Sequence, residues 1–254
     1  MTEVRDIDET RERRIALWLT LALLVTLTLI KPLGGIAYVG TVAFTIAALM
    51  QLFLPIRRAE KLGFDIDFVG LHTRTLKKDL RLVLILCLIT FPPYIVLHHL
   101  YMTAFHDWAL QLDLPALARY LPRGRLAPSV PDGLWGWAVG IFWFLEICAT
   151  HIFGVALPEE TFYRGYLQPR LQSKWPARRT IFGVRIGLAA VVASALFAAG
   201  HFLGEWNPLR LGPFFPGLVF AWLRNASGSV VGAIGYHALC NILGEVLFAA
   251  YRLG

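Results

Sequence analysis

Charged side chains are scarce in this sequence of 254 residues, of which only 16% are Asp, Glu, Lys or Arg. Soluble domains carry about 25% of such residues. At the same time, 57% of the residues are hydrophobic. The low charge therefore excludes a single large soluble core and predicts a protein that crosses the membrane several times.

Cysteine is also scarce, since the chain contains only three. Cys87, Cys148 and Cys240 all fall inside apolar runs, and their spacing is not that of a metal site. They are expected to be small buried hydrophobes, which excludes a disulfide framework. The sequence also lacks a low-complexity tract, a clear internal repeat and a separate soluble domain.

The excess of basic charge has two interpretations. A net charge of +7 is compatible with nucleic-acid binding, but the basic residues concentrate between apolar runs, as the positive-inside rule expects of membrane proteins. The second interpretation is favoured, and no nucleic-acid partner is predicted. The basic connections at residues 57–81 and 170–185 are expected to be cytoplasmic, which places the N-terminus inside and the C-terminus outside. The highly charged residues 1–14 are not expected to form a cleavable signal peptide.

The predicted fold class is all-α, a polytopic transmembrane helical bundle of about seven spans, within a range of six to eight. Six apolar runs have lengths near the roughly 17–25 residues that a span requires. They are Ile15–Ile30, Gly34–Leu54, Leu80–Leu100, Leu134–Leu157, Phe182–Leu203 and Val230–Tyr251. The shorter run Leu211–Leu223, interrupted by Pro213 and Pro216, is predicted to be the seventh. Between the first two runs, Lys31-Pro32-Leu33-Gly34-Gly35 predicts a tight turn.

The segment Pro158-Glu159-Glu160-Thr161-Phe162-Tyr163-Arg164 places ionisable side chains at the end of the fourth apolar run. Ionisable groups in hydrocarbon are costly unless paired or hydrated, so they are functional candidates. Two adjacent carboxylates cannot both ionise cheaply in a low dielectric, and a carboxylate that readily takes up a proton is suited to general-base catalysis. Arg164 follows Glu160 by one helical turn, so it can bind one carboxylate and leave the other free.

The depth of this segment depends on where its helix ends. If Leu134–Leu157 spans the membrane fully, Glu159 lies at the inner surface. If the helix is longer, kinked or shifted, and continues past Arg164 toward Arg170, the two glutamates lie deeper. The second arrangement is predicted, because the other polar residues of the sequence require it.

Three further polar residues lie in later spans. His201 ends the segment Phe197-Ala198-Ala199-Gly200-His201, while His237 and Asn241 are four residues apart and share one helix face. Each alone has a structural interpretation, because a buried His or Asn often serves as a hydrogen-bonded packing residue between helices. Their occurrence together with the glutamates and the arginine favours a site.

The ordered motifs Glu-Glu-xxx-Arg, Phe-xxx-His and His-xxx-Asn, each on its own span, resemble the CPBP family of intramembrane proteases, which includes the eukaryotic CAAX prenyl endopeptidases. The resemblance covers about residue 143 to the end. It implies a catalytic transmembrane core at 134–254, preceded at 1–133 by transmembrane helices and an outer connection. It also implies a multi-pass protein of the bacterial cytoplasmic membrane, with the lipid bilayer and a membrane-anchored protein substrate as partners.

The resemblance implies a glutamic-type endopeptidase. Glu159 and His201 would hold and activate a water molecule. Glu160 and Arg164 would orient the first carboxylate and tune its affinity for protons. Phe197, one turn before His201, would pack against that ring.

His237 and Asn241 would donate hydrogen bonds to the oxyanion of the tetrahedral intermediate. A glutamate with two histidines also resembles a zinc ligand set. No metal and no other cofactor is predicted, because the adjacent Arg164 disfavours a cation and asparagine is an uncommon zinc ligand. Zinc is the alternative.

The substrate class is left open between a CAAX-like tail and a C-terminal sorting anchor. Three segments resemble bacterial members that process such anchors, the myxosortase-like group; they are Tyr163–Gln168, Phe214-Phe215-Pro216 and Trp222-Leu223-Arg224. The alternative function is a non-catalytic scaffold or bacteriocin-immunity protein of the same fold. A transporter is disfavoured, since there is no inverted repeat. Two more ionisable residues, Glu146 and Glu245, lie in predicted spans, and Glu245 either lines the same cavity as Asn241 or faces lipid.

Overall fold

The predicted all-α membrane bundle is confirmed by a computed structural model that describes residues 7–30, 36, 38–128 and 131–253. The predicted turn at residues 31–35 lies outside the described residues. The helices are α1 (Glu9–Ile30), α2 (Val39–Leu62), α3 (Leu76–Thr103), α4 (Phe105–Gln111), α5 (Pro115–Ala118), α6 (Gly133–Gln172), α7 (Leu188–Glu205), α8 (Phe214–Ser227) and α9 (Val231–Ala249).

Five of the described helices, namely α2, α3, α6, α7 and α9, are long and apolar enough to cross a membrane. The predicted seventh span corresponds to α8, which begins at Phe214, directly after Pro213. Its 14 residues extend about 21 Å at 1.5 Å per residue, which is shorter than a hydrocarbon core of about 30 Å. The total of seven spans therefore stays a prediction.

The predicted start of the fifth apolar run at Phe182 is wrong. Residues 179–186 form an antiparallel hairpin of β2 (Arg179–Ile181) and β3 (Val184–Ile186), and α7 begins only at Leu188. Phe182 and Gly183 connect the strands, both with positive φ, at 48° and 77°. This is the backbone that a two-residue hairpin turn requires, and glycine adopts it without strain.

Helix α6 runs without a break through 40 residues, which confirms the prediction that it continues past Arg164 to Arg170. Two π-helical segments, Thr150–Ala156 and Thr161–Leu167, interrupt its α-helical geometry. Pro158 and Pro169 each follow one of them. Because proline cannot donate to the α-helical ladder, the changed hydrogen-bond register of a π turn helps a continuous helix to contain it.

The two halves of α6 have different surroundings. The stretch Gly133–Ala149 has no buried residue, and most of its apolar side chains are exposed on the outside of the bundle, where a membrane protein contacts lipid. In contrast, every residue of Thr161–Leu167 is buried. These residues form the centre of the core together with side chains from α2, α7, α8 and α9. The two glutamates lie in the turn Leu157–Glu160 between the two π segments, where the helix passes from lipid into protein.

The connection from α3 to α6 is joined to the C-terminal end of the chain. Its strand β1 (Gly124–Leu126) pairs antiparallel with β4 (Tyr251–Leu253), which directly follows α9. His99 at the end of α3 adds a hydrogen bond of 2.7 Å to the hydroxyl of Tyr251. Both segments therefore lie on the same side of the bundle, as the sequence predicted, and which side of the membrane this is stays a prediction.

Gly165 allows the closest backbone contact of α6. A Cβ atom there would lie 2.4 Å from the carbonyl oxygen of Val69, a backbone atom that cannot rotate away. We expect Gly165→Ala to destabilise the protein by about 1–3 kcal/mol, as overpacking does, and to lower the detergent melting temperature. Gly140→Ala on the same helix is the control, because its Cβ would meet only Pro131 Cγ at 3.7 Å. Equal melting temperatures for both variants would contradict the contact.

Candidate active site

Four of the six predicted site residues line one cavity of about 770 Å³ between α2, α6, α7 and α9. They are Glu159, His201, His237 and Asn241. The remaining two, Glu160 and Arg164, are fully buried behind the cavity wall. The structure thus brings all six residues together. This is possible because the long helix α6 places the two glutamates inside the bundle.

Glu160 is the central hydrogen-bond acceptor behind the cavity. Its Oε1 accepts from Arg164 Nη1 at 3.1 Å and lies 2.9 Å from His237 Nδ1. Since an ionised carboxylate only accepts, His237 donates through Nδ1, and its Nε2 is left to face the cavity. That Nε2 lies 3.8 Å from Oε2 of Glu159. One glutamate therefore orients the histidine, and the other meets the opposite side of the same ring.

Arg164 is held by neutral groups as well as by its carboxylate partner. Its Nη2 donates to the carbonyl oxygen of Gly217 on α8 at 3.1 Å. The guanidinium lies 4.4 Å from the ring centroid of Phe197 and 5.2 Å from that of Phe220. Cation–π contacts and a charge-assisted hydrogen bond offset part of the cost of burying a guanidinium. The Glu160–Arg164 pair is thereby kept out of the cavity as a locally neutral unit.

His201 is oriented by the residue one turn before it. Its Nδ1 lies 3.1 Å from the carbonyl oxygen of Phe197. A carbonyl cannot donate, so Nδ1 carries the proton, and in the neutral ring Nε2 is the acceptor. The Phe197 ring packs edge-on against His201, with centroids 4.6 Å apart, and against His237, with centroids 5.8 Å apart. One phenylalanine therefore fixes both imidazoles, and its predicted contact with His201 is present.

Glu159 is the free carboxylate of the pair. Its side chain is 14% exposed, and its buried Oε2 has no hydrogen-bond partner among the residues that the structure describes. Asn241 lies one turn after His237 on α9 and lines the same cavity. Among the predicted site residues, those that line the cavity therefore combine an unpaired carboxylate with two imidazoles and an amide.

Three cavity residues received no firm role from the sequence. Glu245 does line the cavity, and its Oε1 lies 3.8 Å from Nε2 of His151, which lines the cavity too. Gln51 joins them from α2. A sequence signal existed for Glu245 alone, since it extends the His237 and Asn241 face of α9 by one turn. Glu146 is exposed on α6, outside the residues that line the cavity.

The side chains of the described segments do not form a metal-binding group. No three His, Cys, Asp or Glu residues within those segments lie close enough together to hold an ion. The alternative of a zinc ligand set thus has no matching donor set in the described part of the chain. The prediction that the chemistry needs no metal stays a prediction for experiment.

A comparison with protein families found a match within this chain. Residues 135–243 match the family model described as "Type II CAAX prenyl endopeptidase Rce1-like". The matched range contains all six predicted site residues. Comparisons with curated proteins and with solved structures found no match. The family supports an intramembrane protease and confirms the resemblance to CAAX prenyl endopeptidases. Residues 135–243 are therefore an Rce1-like domain of the type II CAAX prenyl endopeptidase family.

Proposed function

We propose that this protein is a glutamic-type intramembrane endopeptidase, in which Glu159 and His201 activate the water that attacks a peptide bond. The observation that carries the proposal is that the two glutamates have different surroundings. Glu160 is fully buried and bound to Arg164, while Glu159 faces the cavity. Only a carboxylate without a bound cation is available to accept a proton from water.

The proposed first step uses groups on α6 and α7. A water molecule donates one hydrogen bond to Glu159 and one to Nε2 of His201, and its oxygen attacks the carbonyl carbon of the substrate. Glu159 takes the proton of the water as the new C–O bond forms. It later returns this proton to the leaving nitrogen when the C–N bond breaks, which gives a carboxylic acid and an amine. The acid then passes the remaining proton of the water to the amine, so that a carboxylate and an ammonium group are released.

His237 and Asn241 on α9 are proposed to stabilise the oxyanion. The Asn241 amide donates directly. Because Nδ1 of His237 faces Glu160, its Nε2 can donate only when the ring carries both protons. The oxyanion then supplies the balancing negative charge, so that Glu159 keeps its role as the base. Donors placed where charge develops in a water-poor site contribute about 2.7–4 kcal/mol each in comparable enzymes.

The proposed substrates are membrane-associated proteins that are cut near their C-terminal end. A cavity of about 770 Å³ falls within the roughly 300–1,000 Å³ that enclose a small ligand, which is enough for a few residues of extended chain. The family description favours a CAAX-like tail, and a C-terminal sorting anchor is the second candidate. Assays should therefore present both, and the bacterial cytoplasmic membrane is the proposed location.

Glu159→Gln tests the general base. The substitution keeps the size of the side chain and removes its basicity, so we expect kcat to fall by about 10²–10⁴-fold or more, while the melting temperature in detergent stays close to wild type. Glu146→Gln is the matched control on the same helix, because Glu146 is exposed and lies outside the cavity lining. It should cleave at the normal rate. Normal processing by Glu159→Gln would rule out the mechanism.

Chelation tests the metal-free chemistry. We expect cleavage by the purified enzyme to survive prolonged incubation with EDTA or 1,10-phenanthroline, and elemental analysis to find no stoichiometric zinc. The alternative predicts the opposite pair of results, namely loss of cleavage with the chelator and recovery when zinc is added back.

The buried ion pair allows a double-variant test. Glu160→Gln leaves the Arg164 charge without its partner, which costs about 3–5 kcal/mol in a buried site, so both stability and activity should decrease. In the double variant Glu160→Gln with Arg164→Met the unpaired charge is gone, and we expect part of the melting temperature to return. Activity should stay low, since His237 is no longer oriented by a carboxylate. A double variant less stable than Glu160→Gln would contradict the pairing.

A further inference from the structure

Helix α2 contributes one wall of the catalytic cavity and lies outside the Rce1-like domain. Its described residues that line the cavity are glycine, alanine or phenylalanine, with a single exception, Gln51. The wall formed by α6, α7 and α9 carries the carboxylates and the imidazoles. The two walls thus differ in chemistry, with ionisable groups on one and a neutral amide on the other.

Gln51 is buried without being satisfied. It is 8% exposed, and its Oε1 has no hydrogen-bond partner within the described part of the chain. Burying an amide in this way is unfavourable. Gln51 also belongs to the buried stripe Ala47, Gln51, Pro55 and Ala59 of α2, and α2 packs against the turn of α6 that carries Glu159. Gln51 therefore lines the cavity beside that turn with an amide that has no partner for its buried oxygen, and such an amide indicates a partner that arrives with the substrate.

The geometry points to Gln51 as a substrate-binding residue that hydrogen-bonds to the main chain of the peptide next to the scissile bond. This inference rests on the proposed function. A helix cut inside the membrane must release its hydrogen bonds around the cleaved bond, and unpaired main-chain groups are costly in hydrocarbon. An amide side chain offers one donor group and one acceptor, which matches the N–H and C=O of a peptide. Because it is neutral, it cannot compete with Glu159 for the proton.

Gln51→Leu removes the amide and keeps the approximate volume of the side chain. We expect KM to rise about five- to tenfold with little change in kcat, and the melting temperature to stay the same or to rise, because an unsatisfied buried amide is lost. Gln168→Leu is the matched control, since the Nε2 of Gln168 donates to Ala221 and Asn225 on α8. That variant should lose stability and keep its KM. A Gln51→Leu variant with unchanged KM, or with a reduced melting temperature, would overturn the inference.

Binding to inactive enzyme separates this inference from the proposed function. The probes are two fluorescent peptides in detergent micelles, one a farnesylated CAAX tail and the other a C-terminal anchor helix. Cleavage of neither peptide by wild type would overturn the proposed function alone. The inference is decided by how tightly the peptides bind to two inactive enzymes, the single variant Glu159→Gln and the double variant Glu159→Gln with Gln51→Leu. We expect weaker binding to the double variant. Equal affinity for both enzymes, or no binding to either, would overturn the inference.

N-methylation of single peptide nitrogens sharpens the same experiment. At one position near the scissile bond, we expect the methyl group to weaken binding to Glu159→Gln about five- to tenfold and to have no such effect on the double variant. Methylation effects that are the same in both enzymes at every position would show that Gln51 does not contact the main chain.

Discussion

Glu160 and Arg164 form an ion pair with no solvent exposure on either side chain, and the surrounding structure is arranged to support it. Removing two charges from water is unfavourable unless further hydrogen bonds compensate. Here the carboxylate also binds His237, and the guanidinium binds the carbonyl of Gly217 and the face of Phe197. The pair therefore joins α6 to α7, α8 and α9. Its internal neutralisation also leaves Glu159 as the carboxylate that faces the cavity.

The long helix α6 positions this ion pair inside the bundle. An uninterrupted α-helix of this length would tolerate its two prolines poorly, and the π-helical segments that precede them keep the helix continuous. Such segments often occur at functional sites, because they change which side chains share a face. In α6 they flank the turn Leu157–Glu160 on both sides. The position of the glutamates at the border between lipid and protein follows from this construction.

Local spacing predicted a large part of the site. The four-residue separations of Glu160 from Arg164 and of Phe197 from His201 correspond to the observed ion pair and ring contact, because both pairs are neighbours on a single helix. The contact of His237 with Glu160 was not predicted, since it joins residues 77 positions apart. The sequence did not single out Gln51 for the same reason, because its position in the cavity depends on how α2 packs against α6. No local spacing indicates such a contact.

The hairpin at residues 179–186 was missed for a different reason. Its turn residues, Phe182 and Gly183, continue an apolar run, and hydrophobicity alone does not reveal a pair of positive φ angles. The π-helical segments were equally hidden, because the sequences of α- and π-helical turns differ little. Orientation in the membrane is set by loop charges and by the bilayer itself, so the bundle alone does not define it.

The exposed, apolar half of α6 affects how a membrane-anchored substrate reaches the cavity. Gly133–Ala149 has no protein neighbour that buries any of its residues, and the cavity begins directly beyond it, at His151. A protein anchored in the same bilayer reaches this surface by diffusing in two dimensions, within a layer only about 30 Å thick. Confinement to that layer raises its effective concentration, as tethering does for any pair of binding partners. Under the proposed function, membrane anchoring is thus the first filter that a substrate passes, before any side chain of the cavity contacts it.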